Sequence, residues 1–291
     1  MNDDYTIDKR SLRAAFERAA AGYDGAAILQ REVCDRMLSR LEYIKYMPDV
    51  ILDAGSGTGY GTRKLLMRYP GARMLAIDIA RAMHLQARPP VSWWRQLSGK
   101  KNRTNYVTGD MEQMPFKDSC TGLVWSNLSL QWCNDIKETF SEVHRVLQTG
   151  GLFMFSTFGP DTLKELRHAF GKTDSYSHVN RFMDMHDVGD ILVHCGFATP
   201  VMDMEYITLT YDSPVGVMRD LKAIGAHNST AGRRRGLSGK ITWQTALDRY
   251  ETLRDGGKLP ATFEVIYGHA WKPEPRRSVL TPETRRQLGL I

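Results

Sequence analysis

The residues best suited to chemistry in this chain stand where short apolar runs end. In "DAGSGTG" (53–59), Gly55, Gly57 and Gly59 recur at every second position directly behind "DVIL", and Asp53 precedes the first glycine by two residues. Glycines at such a turn let the backbone approach a ligand closely, because no Cβ stands in the way. A second acid, Asp78, closes the next apolar run, "LAID". Lying about 20 residues on, it holds the place from which a carboxylate takes both hydroxyls of a ribose. Asp110 and Met111, in "TGDMEQMPF", suit an adenine: the carboxylate accepts from the amino group and the thioether lies against the ring. The backbone of Asn127 and Leu128, in "SNLSLQW", approaches the same ligand. The spacing is G-x-G-x-G rather than the G-x-G-x-x-G of a dinucleotide site, although Gly61 follows. A cationic nucleoside without phosphates fits it better than a pyrophosphate. Each acid also has a plainer reading, Asp78 as a helix cap and Asp110 as a turn residue, and Met111 has one as core.

These residues serve one ligand if the runs that carry them are strands of one sheet. "DVILDA", "RMLAID", "TNYVTGD", "TGLVWSN" and "GGLFMFST" read as strands, with helical patterns after the first, second and fourth. Alternation of this kind, through about residue 158, predicts a parallel sheet with helices on both faces and a ligand crevice at the carboxyl ends of its strands. Features in register at four successive strand ends read as an S-adenosylmethionine site. Farther on, "TPVMDMEYITLTY", interrupted or bulged, and "ATFEVIYGHAWK" add two strands among further helical stretches. The expected fold class is α/β: a doubly wound, mostly parallel, seven-stranded Rossmann-like sheet. Two helical patterns precede it, one presenting Leu12, Ala15, Phe16 and Ala19, the next Ile28, Val33, Met37 and Leu41. The expected organisation is an N-terminal helical lid (1–46), the cofactor-binding core (47–158), substrate-side helices with the remaining strands (159–272), and a loose tail (273–291).

The chain has 291 residues, 42% of them hydrophobic, enough for one large or two unequal domains. No apolar run reaches the roughly 18 residues of a membrane span. The opening "MNDDYTIDKR" is unlike a signal or transit peptide. Cys34, Cys120, Cys133 and Cys195 are scattered without C-x-x-C or zinc spacing, so reduced thiols, a cytoplasmic setting and no metal site are expected. A net charge of +6 suits either an anionic partner or a plain solvated surface. With no RNA-recognition motif in view, nucleic acid is not the expected partner.

Six stretches carry a resemblance: "AAFERAAAGYDGAAILQREV" (14–33), "ILDAGSGTG" (51–59), "GDMEQMPF" (109–116), "SNLSLQWCND" (126–135), "HVNRF" (178–182) and "LKAIGAHN" (221–228). On them the sequence resembles the class I S-adenosylmethionine-dependent methyltransferases and, within them, the malonyl-[acyl-carrier protein] O-methyltransferases of biotin synthesis. The resemblance spans roughly residues 8–272. Ser56 stands where members often carry Cys, and the loop at 88–103 and the tail after Pro273 are longer than usual.

The resemblance implies methyl transfer from S-adenosylmethionine to the free carboxylate of a malonyl thioester, leaving S-adenosylhomocysteine. The ester hides the charge, so that fatty-acid enzymes accept the unit as a primer for the pimeloyl arm of biotin. A carboxylate is already ionised at neutral pH, so no general base is needed. Tyr23 belongs to the lid over the cofactor or is an aromatic packing residue. Arg181 is the candidate anchor for the malonyl carboxylate, holding it mainly through one oxygen; its plain alternative is a structural ion pair. Gln131 and Trp132 are expected to line the same pocket. Arg219 and Lys222, with Arg233, Arg234 and Arg235, are the candidate docking face for an acidic, malonyl-loaded acyl carrier protein. A monomer is expected. The rival readings are a methyltransferase of another small acid or quinone precursor, and a non-methylating assembly factor of the same fold.

Overall fold

The computed structural model describes residues 6–88, 103–171, 180–226, 230 and 239–274. Three helices come first: α1 (Lys9–Ala19), α2 (Tyr23–Ala26) and α3 (Ile28–Arg40). Asp8 caps α1, its side chain accepting from the backbone N–H groups of Arg10 and Ser11. The buried face of α3 is Leu29, Val33, Cys34 and Met37, whereas Ile28 is 59% exposed. The expected register through Ile28 is therefore corrected. Leu29, Val33 and Met37 repeat every four residues, and Ile28 stands one residue out of that register.

β1 (Val50–Ala54) is buried at all five positions, as a parallel strand covered on both faces must be. To one side of it lie β2 (Arg73–Asp78) and β3 (Thr104–Thr108), to the other β4 (Thr121–Asn127) and β5 (Leu147–Phe158), all parallel. Two long strands complete the sheet, β6 (Ala198–Tyr211) and β7 (Leu259–Trp271). β7 runs antiparallel beside β5, and β6 is antiparallel to β7 at the edge. The order is β3-β2-β1-β4-β5-β7-β6, the doubly wound, mostly parallel, seven-stranded sheet expected. β6 carries the expected irregularity, a register shift between Ala198 and Val201. The winding direction reverses between β1 and β4, and the crevice at their carboxyl ends is where such sheets take ligands.

The helices that follow are α4 (Tyr60–Arg68), α5 (Arg81–Ala87), α6 (Ile136–Val146), α7 (Lys164–Phe170), α8 (Met185–His194), α9 (Pro214–Ala223) and α10 (Lys240–Glu251). Alternation along β4 divides the core. Leu123 and Trp125 pack with Ile51, Met74 and the Val33–Met37 face of α3, while Val124 turns to Phe153, Phe155 and the Phe140–Val143 face of α6. The Ser-Pro start of α9 is real: the Ser213 hydroxyl accepts from Gly216 N–H at 3.3 Å and Pro214 opens the helix. Among the described residues, no helix is long and apolar enough to cross a membrane.

Candidate active site

The glycine turn is held open by backbone that only glycine adopts readily. Gly55, Gly57 and Gly59 have φ of 78°, 52° and 79°. Gly55 N–H and Ser56 N–H both donate to Ile77 C=O, at 2.8 and 3.0 Å, tying the turn to the end of β2. Asp78, next along, accepts from Gly57 N–H at 2.8 Å through one oxygen and from Ala80 N–H at 2.8 Å through the other. The carboxylate thus shapes the turn and the start of α5 as well as facing the cleft. At Gly59 the turn packs closely against α5, where a Cβ would stand 3.0 Å from the Ala87 Cβ.

One cavity gathers most of the expected cofactor set at the strand ends. Gly55 and Gly57 come from β1's turn, Asp78 from β2, Asp110 and Met111 from the segment after β3, and Asn127 and Leu128 from β4. Tyr23, Gln131 and Trp132 line it too. Asp53 lines a smaller cavity, which shares Tyr23, Gln30, Gly55, Gly57 and Asn127 with the first. There Asp53 accepts from Thr62 Oγ1 at 2.5 Å.

α1 closes the first cavity with contacts that periodicity could not reveal. Lys9 pairs with Asp110 at 3.0 Å and also with Glu112. Glu17 accepts from Arg81 N–H and Ala82 N–H at 2.8 and 2.9 Å, covering the first turn of α5. Phe16 meets Trp132 edge-on, ring centres 5.5 Å apart. Ile7 N–H donates to Asn134 Oδ1 at 2.7 Å. The sequence did not announce Lys9 and Gln30 in the lining of this cavity, nor Glu17 beside it on α1. Gln30 lines the first cavity, and its Oε1 is buried without a hydrogen-bond partner.

Two further cavities open from the first. The second is apolar, walled by Leu166, Phe170, Met218, Leu221 and Phe263, with Lys222 and Trp243 also in its lining. The third contains Arg181, beside Asn180, Asn134 and Asp187. Gln131 and Phe158 line all three cavities. Arg181 therefore lies outside the first cavity, in a neighbour that meets it at Gln131, Cys133 and Phe158. Arg219 is exposed on α9; Arg233, Arg234 and Arg235 lie outside the described residues.

Burial sets the charge of the carboxylates. It pushes Asp53 up to about 7, helped by the charge of Asp78 and opposed by the Thr62 hydrogen bond. It pushes Asp78 up to about 6, against the lowering effect of the Ala80 and Gly57 N–H groups. Tyr23 is raised as well, by burial and then by Asp78 and Asp24. Among the described residues no ion pair neutralises Asp53 or Asp78. In the ligand-free protein both carboxyls hold protons at a pH where the unfolded chain has lost them. The folded state then binds more protons, and stability falls as pH rises from about 4 through about 7. Thermal melts between these limits should show that decline, and Asp53→Asn should flatten it. An unchanged slope in the variant would remove Asp53 as its source.

A family model described as "Methyltransferase domain" matches residues 52–155. The malonyl-[acyl-carrier protein] O-methyltransferase of Nitrosospira multiformis is 72% identical, covering 100% of this chain and 97% of its own. That of Gallionella capsiferriformans is 59% identical over 94% of each. Among solved structures, the YcgJ protein of a Bacillus matches with a TM-score of 0.57 at 15% identity, over 83% of this chain and 99% of its own. A methyltransferase-like protein of Bacillus halodurans matches with a TM-score of 0.56 at 20% identity, over 81% and 99%. Those two show the fold alone, in agreement with the sheet order. With a strand-end cavity of this kind and full-length identity at that level, the chain belongs to the malonyl-[acyl-carrier protein] O-methyltransferase family.

Proposed function

We propose that this chain transfers a methyl group from S-adenosylmethionine to the free carboxylate of malonyl-[acyl-carrier protein]. The observation that carries the reading is the meeting of three cavities at Gln131 and Phe158 in a member of this family. One cavity suits the cofactor, and two others give a substrate access to its edge.

The donor set fits a cationic nucleoside. Asp78 suits the ribose hydroxyls and Asp110 the adenine amino group, with Met111 against the ring. Asp53, a buried acid without a cation, suits the ammonium of the cofactor's amino-acid end. Lys9, the lysine in the lining of that cavity, is already paired with acids, so the site offers little to a phosphate. When bound, S-adenosylmethionine supplies a methyl group already activated by its sulfonium. The malonyl carboxylate is ionised at neutral pH, far above its pKa. The chain's own work is to align the oxygen and to exclude water.

Residues 1–46 act as the lid in this reading, supported by the Lys9, Glu17 and Phe16 contacts across the cofactor cavity. Tyr23, in the lining of both cavities at the glycine turn, belongs to the same cover. Arg181 anchors the malonyl carboxylate from the third cavity, mainly through one oxygen, which leaves the other nucleophilic. Arg219 and Lys222, both exposed on α9, offer positive charge to an acidic carrier, and Arg233, Arg234 and Arg235 extend that face in sequence. The chain works as a cytoplasmic monomer without nucleic acid, a setting its four free cysteines suit.

Purified protein given labelled S-adenosylmethionine and malonyl-carrier protein should add one methyl group to the carrier's intact mass. Transfer to a free small acid but not to the carrier would shift the substrate. Cofactor binding with no transfer to either would favour the assembly-factor reading.

A further inference from the structure

The second cavity has no part in cofactor binding as derived above, yet it is built like a conduit. It is walled by apolar side chains from α7, α9 and β7, namely Leu166, Phe170, Met218, Leu221 and Phe263. Three side-chain amides, Gln30, Gln131 and Asn180, interrupt the apolar wall. Asn180 Oδ1 and Gln30 Oε1 are both buried and without a partner. A buried amide oxygen left unpaired carries a desolvation penalty, which an N–H donor brought by a ligand removes. Gln30 stands where this cavity joins the cofactor cavity, since it lines both. On the outer side the cavity reaches Lys222, an exposed cation, and Trp243, which is 37% exposed. α9 unites the two ends of the pattern. Met218 and Leu221 line the cavity, and Arg219 and Lys222 on the same helix are exposed.

We infer that this cavity is the channel for the phosphopantetheine arm that carries the malonyl thioester. The inference rests on the carrier-protein reading above and adds the route. The arm is a chain of alkyl segments broken by two amides and ended by a phosphate. Apolar walls suit its methylene and methyl groups. The buried oxygens of Asn180 and Gln30 accept from its amide N–H groups, and Lys222 at the rim takes the phosphate, a pairing between opposite charges. The thioester end then arrives at Gln131 and Phe158, where the cofactor cavity and the Arg181 cavity also end. The arm's direction fixes which face of the protein meets the carrier: the face of α9 and α10 around the outer rim.

Plugging the channel tests this. Met218→Trp and Leu221→Trp fill it from α9 without touching the cofactor cavity, and Asn180→Leu removes one amide while keeping the volume. For the plugs we expect a fall of at least roughly ten-fold in kcat/KM for malonyl-carrier protein, with cofactor affinity by calorimetry and the melting temperature near wild type. For Asn180→Leu we expect KM to rise by about ten-fold, the worth of one buried hydrogen bond. Wild type serves as the control for the underlying reading: if it does not methylate malonyl-carrier protein, that reading fails before the channel is tested. If wild type is active and all three variants, folded and cofactor-competent, match it, the arm takes another route and the inference is overturned. Should one plug fail to fold, the other plug and Asn180→Leu still decide.

Discussion

Gly55→Ala is expected to abolish measurable binding of S-adenosylmethionine and to lower the melting temperature. Two costs coincide at this position. Its φ of 78° is left-handed, and an L-residue pays about 1–2 kcal/mol to adopt it. A Cβ there would also run into Oγ and Cβ of Ser129. Ser129 cannot yield cheaply, because its hydroxyl donates to Asn127 C=O at 3.1 Å and to Gly55 C=O at 3.3 Å. Moving it shifts the end of β4 as well as the turn, and both line the cofactor cavity. Gly57→Ala is the informative contrast. Its φ is 52°, but a Cβ there would come no nearer than 4.0 Å, to Tyr23 Cε1, among the described residues outside its own turn. That variant should show the backbone cost alone, a loss of roughly ten-fold in affinity. Calorimetry and melts of both variants, with Gly55→Ala/Ser129→Gly beside them, separate strain from collision. Normal cofactor affinity in Gly55→Ala would mean that the turn is not a cofactor cradle.

Arg181→Ala should leave cofactor affinity nearly unchanged and cut methyl transfer by roughly 10- to 100-fold, the value of a charge-assisted hydrogen bond at the substrate. The separation follows from the structure: Arg181 lines the third cavity and not the first, and the two cavities share Gln131, Cys133 and Phe158. The loss should appear in kcat as well as KM, because a carboxylate set at the wrong angle loses its line to the methyl group. Arg181→Lys should restore only part of the rate, since a point charge does not reproduce the guanidinium fork. A purely structural role gives a different pattern: a lower melting temperature, weaker cofactor binding and normal transfer by the fraction that remains folded. Single-turnover methylation run beside melts tells them apart.

The edge of the first cavity was legible in the sequence because it is a local matter. A glycine turn sits at the end of its own strand, an acid at the end of the next, and the sheet then brings those ends together. Strand positions were legible for the same reason, and even the irregular start of β6 showed as an interrupted pattern. What stayed hidden depends on contacts between distant segments. Lys9 and Asp110 are 101 positions apart, and nothing near either names the other. Asp53 was read with the other acids, and it lines a smaller cavity that shares Tyr23, Gln30, Gly55, Gly57 and Asn127 with the first. Gln30 is a polar residue in a helix with an apolar buried face, and only the fold shows that three cavities border it. The phase of α3 was misread at Ile28, which stands five residues before Val33; the buried face repeats every four, from Leu29 through Val33 to Met37.

The placement of β7 between β5 and β6 has a consequence for synthesis. A ribosome delivers β6 while its sheet neighbour has yet to be made, since β6 touches the sheet only through β7. Until Leu259–Trp271 emerges, β5 keeps an open edge and the alternating β6 has no partner, the kind of exposed strand that recruits other chains. The nucleotide crevice, built from β1 to β4, precedes this stage and is complete without it. A nascent chain halted short of residue 259 would thus own a cofactor crevice but lack Phe263 and the wall it supplies to the channel. Cofactor capture can run ahead of catalytic competence, and the late strand both seals an aggregation-prone edge and finishes the route by which substrate enters.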